Sequence, residues 1–139
     1  MDTQAIMTDL ETADRLPREA LRLADQHRVE LTPRFLAGIE TYLANPSAHD
    51  APSAQALFYA FHLFGHWRET SACRPLARLL RLPEDDLEVI LGEAVTETAH
   101  RVMAAVFDGD PEPLFDIILD PAVGQFARSS ACDTLAMLL

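Results

Sequence analysis

Along most of the chain apolar residues recur every three and four positions, the spacing that lines one face of an α-helix. No run of Val, Ile, Thr and aromatic residues alternates with polar ones between turn dipeptides, and 5 glycines are few for tight hairpins, so no strand is predicted. The pattern predicts a first short helix over residues 2–14. A second follows Pro17 as a first-turn proline, with Ala20, Leu21, Leu23 and Ala24 as its inner stripe. A third, over 35–44, is opened by Thr32 as N-cap and Pro33, striped by Phe35, Leu36, Ile39 and Leu43, and ended by Asn45-Pro46-Ser47. Residues 46–53 read as a connector. The helix predicted over 53–67 is apolar on nearly every face, which marks it as the centre of the core. Helices are then expected over 71–82, closed by Pro83, over 83–91, and over 93–107 with the stripe Leu91, Val95, Ala99, Val102 and Val106. Asp110 caps and Pro111 starts Glu112–Leu119, and a last helix runs over 122–139.

Two stretches repeat. Pro75-Leu76-Ala77-Arg78-Leu79-Leu80-Arg81-Leu82-Pro83 reads onto Pro113-Leu114-Phe115-Asp116-Ile117-Ile118-Leu119-Asp120-Pro121 at an offset of 38 without a gap. At that offset Leu57 falls on Val95, Phe61 on Ala99 and Phe64 on Val102, so each unit is a long helix, a break and a shorter helix ended by proline. Such periods belong to helical solenoids. The expected fold is therefore an all-α, HEAT-like superhelix of about eight or nine helices, a single domain over 1–139. Within it, 1–45 form N-terminal helices and 53–139 two HEAT-like units plus a final helix. The last residues, Leu135-Ala136-Met137-Leu138-Leu139, carry no Gly cap and no polar outer face. They predict that the fold continues in a longer chain, or that a partner or a second copy covers this end.

Composition narrows the function. With 139 residues and 49 % hydrophobic positions the chain can bury a core without disulfide or metal staples. Lys plus Arg number 11 against 22 Asp plus Glu, a formal net charge of −11, which argues against nucleic acid and anionic membrane surfaces as partners. No stretch approaches the roughly 20 consecutive apolar residues of a membrane span, and no basic region precedes an apolar core near the start, so no signal peptide is expected. Cys73 and Cys132 lie far apart in helical patterns and read as reduced thiols of a cytoplasmic protein.

The runs Tyr59-Ala60-Phe61-His62-Leu63-Phe64-Gly65-His66-Trp67-Arg68-Glu69-Thr70, Leu79-Leu80-Arg81-Leu82-Pro83, Leu91-Gly92-Glu93-Ala94-Val95-Thr96-Glu97 and Val106-Phe107-Asp108-Gly109-Asp110-Pro111 resemble the bacterial family called domain of unknown function 1186. The turn Gly109-Asp110-Pro111-Glu112 is also similar to that joining helix pairs in HEAT-like repeats. The resemblance covers most of the chain, most clearly from Ala54 onward. It implies an all-helical superhelix and brings no activity, substrate or catalytic residue with it.

Candidate chemistry is sparse. His62 and His66 share a helical face at the four-residue spacing that two imidazoles use on one metal, but Leu63 stands where a zinc peptidase needs Glu. Glu93, Glu97 and His100 share a face of the 93–107 helix, with the Glu-His spacing of di-iron bundles. If the repeat register makes the two helices neighbours, these five converge on one divalent metal. The alternative is that Glu97 pairs with Arg101 in solvent and the histidines are satisfied core or groove residues. Either cysteine is more simply packing than a nucleophile, and the acids Glu84, Asp85, Asp86 and Glu88 are most simply helix-start charges. Trp67 and Arg68 are residue types that dominate interfaces, unless Trp67 closes the core. The reading favoured is a non-enzymatic scaffold without cofactor that binds another protein through a basic or amphipathic segment. Trp67, Arg68, Glu97 and Arg101 are its partner-binding residues, and His62, His66 and Glu93 are groove-facing beside them. Two further readings stay open, a metal-dependent enzyme on the same His and Glu residues, and a homodimer through the C-terminal helix.

Overall fold

The computed structural model describes residues 1–48 and 50–139. Among them are ten α-helices and no strand: α1 (Thr3–Thr12), α2 (Arg18–Ala24), α3 (Arg28–Ala44), α4 (Ala51–Trp67), α5 (Cys73–Leu80), α6 (Glu84–Leu91), α7 (Ala94–Glu97), α8 (Ala99–Ala105), α9 (Glu112–Leu119) and α10 (Gln125–Leu138). The fold is all-α. Short 3₁₀ turns occupy Asp25–His27, Pro46–Ala48 and Thr70–Ala72. The chain packs into two compact units, Met1–Ala60 and Phe61–Leu139, and the division falls inside α4.

In the Met1–Ala60 unit, Asp2 caps α1 by accepting the Ala5 N–H at 2.8 Å. The expected start of the third helix is corrected. α3 begins at Arg28, and Pro33 lies within it rather than opening it. Proline leaves the carbonyl of Val29 without its helical donor, and the burial of Leu31, Phe35, Ile39 and Tyr42 along one stripe holds the helix together across that gap. The Thr32 hydroxyl, read from the sequence as a cap, is buried without a hydrogen-bond partner among the described residues. The Gln55 amide of α4 donates to the carbonyls of Leu10 and Ala13 at 3.0 and 2.8 Å, pinning the end of α1.

In the Phe61–Leu139 unit, α5 packs on α8 and α9, and α10 packs on α7, α8 and α9. Phe61, Phe64, Leu76, Leu79, Leu91, Met103 and Ile117 are fully buried. Some repeat positions keep their burial, since Leu76 and Leu114, Leu79 and Ile117, and Phe64 and Val102 are inward in both copies, whereas Ala77 is buried and its counterpart Phe115 is exposed. Ion pairs run along α5, from Arg74 to Asp108 and Asp110, and from Arg81 to Asp120 at 2.9 Å. The Arg81 guanidinium, and then the Ala122 N–H, hold the Asp120 carboxyl below its usual range. For Asp110 the Glu112 N–H comes first and Arg74 second. Both groups bind a proton less readily folded than unfolded, so the stability they add is present above about pH 4 and is lost as the pH falls below it.

α4 ends in a Schellman motif, with the Arg68 N–H donating to Gly65 and the Glu69 N–H to Phe64. The left-handed position that glycine normally takes is held by Arg68, at φ 53°. Arg68→Gly is expected to stabilise the protein by about 1 kcal/mol, because an L-residue costs roughly that much there. Thermal denaturation of the two proteins side by side checks it, and an unchanged or lower midpoint refutes it.

Candidate functional site

The helix expected over 93–107 is broken. Thr98 leaves helical geometry at φ −129°, separating α7 from α8, and Glu93 lies in the turn before α7. The expected alignment of Glu93, Glu97 and His100 on one face rests on an unbroken helix, and the break falls between Glu97 and His100 while Glu93 lies before α7. The break has a partner across the packing: His62 Nε2 lies 2.8 Å from the Thr98 hydroxyl, and its ring stands edge-on to Phe61. His62 and His100 are half-buried, while His66, Glu93 and Glu97 are exposed. Among the described residues no three His, Cys, Asp or Glu side chains are grouped so that they could hold a metal ion.

The residues expected to bind a partner also separate. Trp67 is a core residue, 8 % exposed and edge-on to Phe64 with ring centroids 6.2 Å apart, so its indole is not part of an outer surface. Arg68, Glu97 and Arg101 are exposed, and none has a side-chain partner among the described residues. Cys73 is buried, and desolvation pushes its thiol up, as suits inert packing. Cys132 is exposed on α10.

This unit also holds a concavity that the sequence did not single out. α6, α7 and the start of α10 enclose a cleft of about 270 Å³, floored by Leu82, Leu87, Val95 and Ala127 and flanked by Phe126. Two glycines shape it. Gly92 ends α6 at φ 52°, ψ −129°, a conformation closed to L-residues, and so turns the chain sharply into α7. At Gly124 a Cβ would lie 3.3 Å from the Glu84 carboxyl carbon, so its absence lets that carboxylate rest at the positive end of α10. Glu88 and Glu93 complete the rim. None of the three glutamates forms an ion pair among the described residues. Phe126 is 50 % exposed, an aromatic ring left in water beside an apolar floor. Chemically, the cleft offers room for one or two apolar side chains inside a negative rim. Glu84 and Glu88 were legible in the sequence but read as helix-start charges, Glu93 read as a metal-ligand or groove candidate, and Gly92 and Gly124 were the available signals of a cleft between them.

Comparison with known proteins adds ancestry. An uncharacterized protein of Chlamydia muridarum (strain MoPn / Nigg) is 30 % identical over 125 residues, covering 89 % of this chain and 50 % of its own. An uncharacterized protein of Chlamydia trachomatis serovar D is 30 % identical over the same length, covering 89 % of this chain and 49 % of its own. The chain thus spans about half the length of these curated relatives. No solved structure matches. A family model described as protein of unknown function (DUF1186) matches residues 1–139. With every residue from Met1 to Leu139 inside that match, the chain belongs to the family.

Proposed function

We propose that the chain is a protein-interaction module, and that its Phe61–Leu139 unit takes a basic, amphipathic segment of another protein in the cleft between α6, α7 and α10. The observation that carries this reading is an apolar floor, with half-exposed Phe126, inside a rim of glutamates unpaired among the described residues. An apolar anchor of the partner fills the floor, where removal from water supplies affinity at roughly 25 cal/mol per Å² of apolar surface. Arg or Lys beside that anchor meets Glu88 and Glu93, which sets specificity and speeds encounter. Arg68, Glu97 and Arg101 are flanking contacts in the same reading. The inward pairs Leu76 and Leu114, Leu79 and Ile117, and Phe64 and Val102, with α5 packed on α9, support a HEAT-like stacking of helix pairs. The module works in the cytoplasm, where Cys73 and Cys132 stay reduced.

Selection from a peptide display library on the immobilised protein tests the cleft. Enriched sequences are expected to place one large apolar residue within a helical turn of two or more Arg or Lys. Phe126→Ala combined with Glu88→Gln is expected to weaken the selected peptides about tenfold or more. Acidic winners, or winners that bind the double variant equally well, would sink the reading.

A further inference from the structure

The Met1–Ala60 unit contains a separate cavity of about 350 Å³ between α1, α3 and the first half of α4. That volume is within the range of small-molecule sites, roughly 300–1,000 Å³. Its floor is apolar and buried, made by Phe35 and Leu57. Gly38 of α3 also lines it, and a Cβ there would stand 3.2 Å from Leu57 Cδ2, so the glycine permits the close approach of α3 to α4 beside the cavity.

The rim carries two opposite charges that the protein does not pair among the described residues. Arg34 donates to the neutral amide oxygen of Gln4 at 2.7 Å, so its guanidinium keeps an uncompensated charge and further N–H donors. Glu11 has no hydrogen-bond or ion-pair partner among the described residues. The remaining rim carboxylate, Asp50, is occupied at the start of α4, where it accepts the Ser53 N–H at 2.8 Å. An apolar well beneath one available cation and one available anion fits a ligand that carries both charges beside an apolar body.

We propose that this cavity binds a free α-amino acid with a large apolar side chain, its carboxylate on Arg34 and its ammonium on Glu11. A planar guanidinium takes a carboxylate through two parallel hydrogen bonds, which fixes the orientation of the head group. The side chain then lies on Phe35 and Leu57. An apolar acid would place a like charge beside Glu11, and an apolar amine would leave Arg34 unanswered. The cavity therefore discriminates by the pair of charges, and the apolar floor discriminates by side-chain size.

Calorimetric titration with L-phenylalanine, 3-phenylpropionate and 2-phenylethylamine, which share one ring, decides it. L-Phenylalanine is expected to bind about tenfold tighter than either analogue, since each charge-assisted contact is worth at least that factor. Arg34→Gln is expected to bring L-phenylalanine down to the level of the amine, and Glu11→Gln to the level of the acid. Both side chains lie on the rim, and helical circular dichroism verifies that each variant is folded. Equal binding of all three compounds, no binding of L-phenylalanine, or affinity untouched by both variants overturns the proposal.

Discussion

Phe64→Ala is expected to lower the unfolding free energy by about 3–5 kcal/mol, the range for emptying a fully buried aromatic site. Phe64 has no exposed surface and meets Trp67 edge to face, so its removal takes away a packed ring and leaves the indole facing a void. On an unfolding entropy typical of this chain length, that loss corresponds to roughly 10 °C or more in the thermal midpoint. Urea denaturation followed by far-ultraviolet circular dichroism measures it directly. A change under about 1 kcal/mol would mean that the α4 side of the Phe61–Leu139 core is not closed around this ring. Phe64→Leu, which keeps most of the apolar volume, is expected to recover the larger part of the loss.

Gly65→Leu is expected to cost about 2–3 kcal/mol through overpacking, although leucine is the better helix former. The reason is the approach of α4 to α8. A Cβ at Gly65 would already lie 3.0 Å from Val102 Cγ2 and 3.3 Å from the Val102 Cα, and an isobutyl group has no path past the backbone. Gly65→Ala separates the two effects. Its single added carbon asks α8 to yield by a few tenths of an ångström, and the gain in helix propensity offsets that strain. The Ala variant should unfold near the parent and the Leu variant well below it. A Leu variant as stable as the parent would show that α4 and α8 do not approach at this glycine.

Much of the helical layout was readable because proline and short polar residues punctuate it. Glu112–Leu119 has the expected bounds, since Asp110 and Pro111 mark one end and Asp120-Pro121 the other. Thr32-Pro33 carried the same signal and misled. Local chemistry there favours a helix start, but the inward stripe already runs through Leu31, and packing outweighed one missing hydrogen bond. The break at Thr98 left no trace, because the apolar period continues from Val95 through Ala99 to Val102 while the backbone turns between them. That break falls between Glu97 and His100, so the spacing argument that put Glu93, Glu97 and His100 on one face does not carry across it. The cleft was illegible for a different reason. Its walls come from residues 82–96 and 124–127, and no pattern within either segment reports that the two meet.

The division between the compact units, after Ala60, bears on how the chain can be dissected. A fragment beginning at Phe61 would open in the middle of a helix, and its first four N–H groups would have lost the carbonyls one turn earlier. A fragment beginning at Asp50 retains the carboxylate that accepts the Ser53 N–H, and with it the whole of Ala51–Trp67. Excision of the C-terminal half thus has a natural starting residue that lies ten positions ahead of Ala60, at the start of the helix that the division crosses.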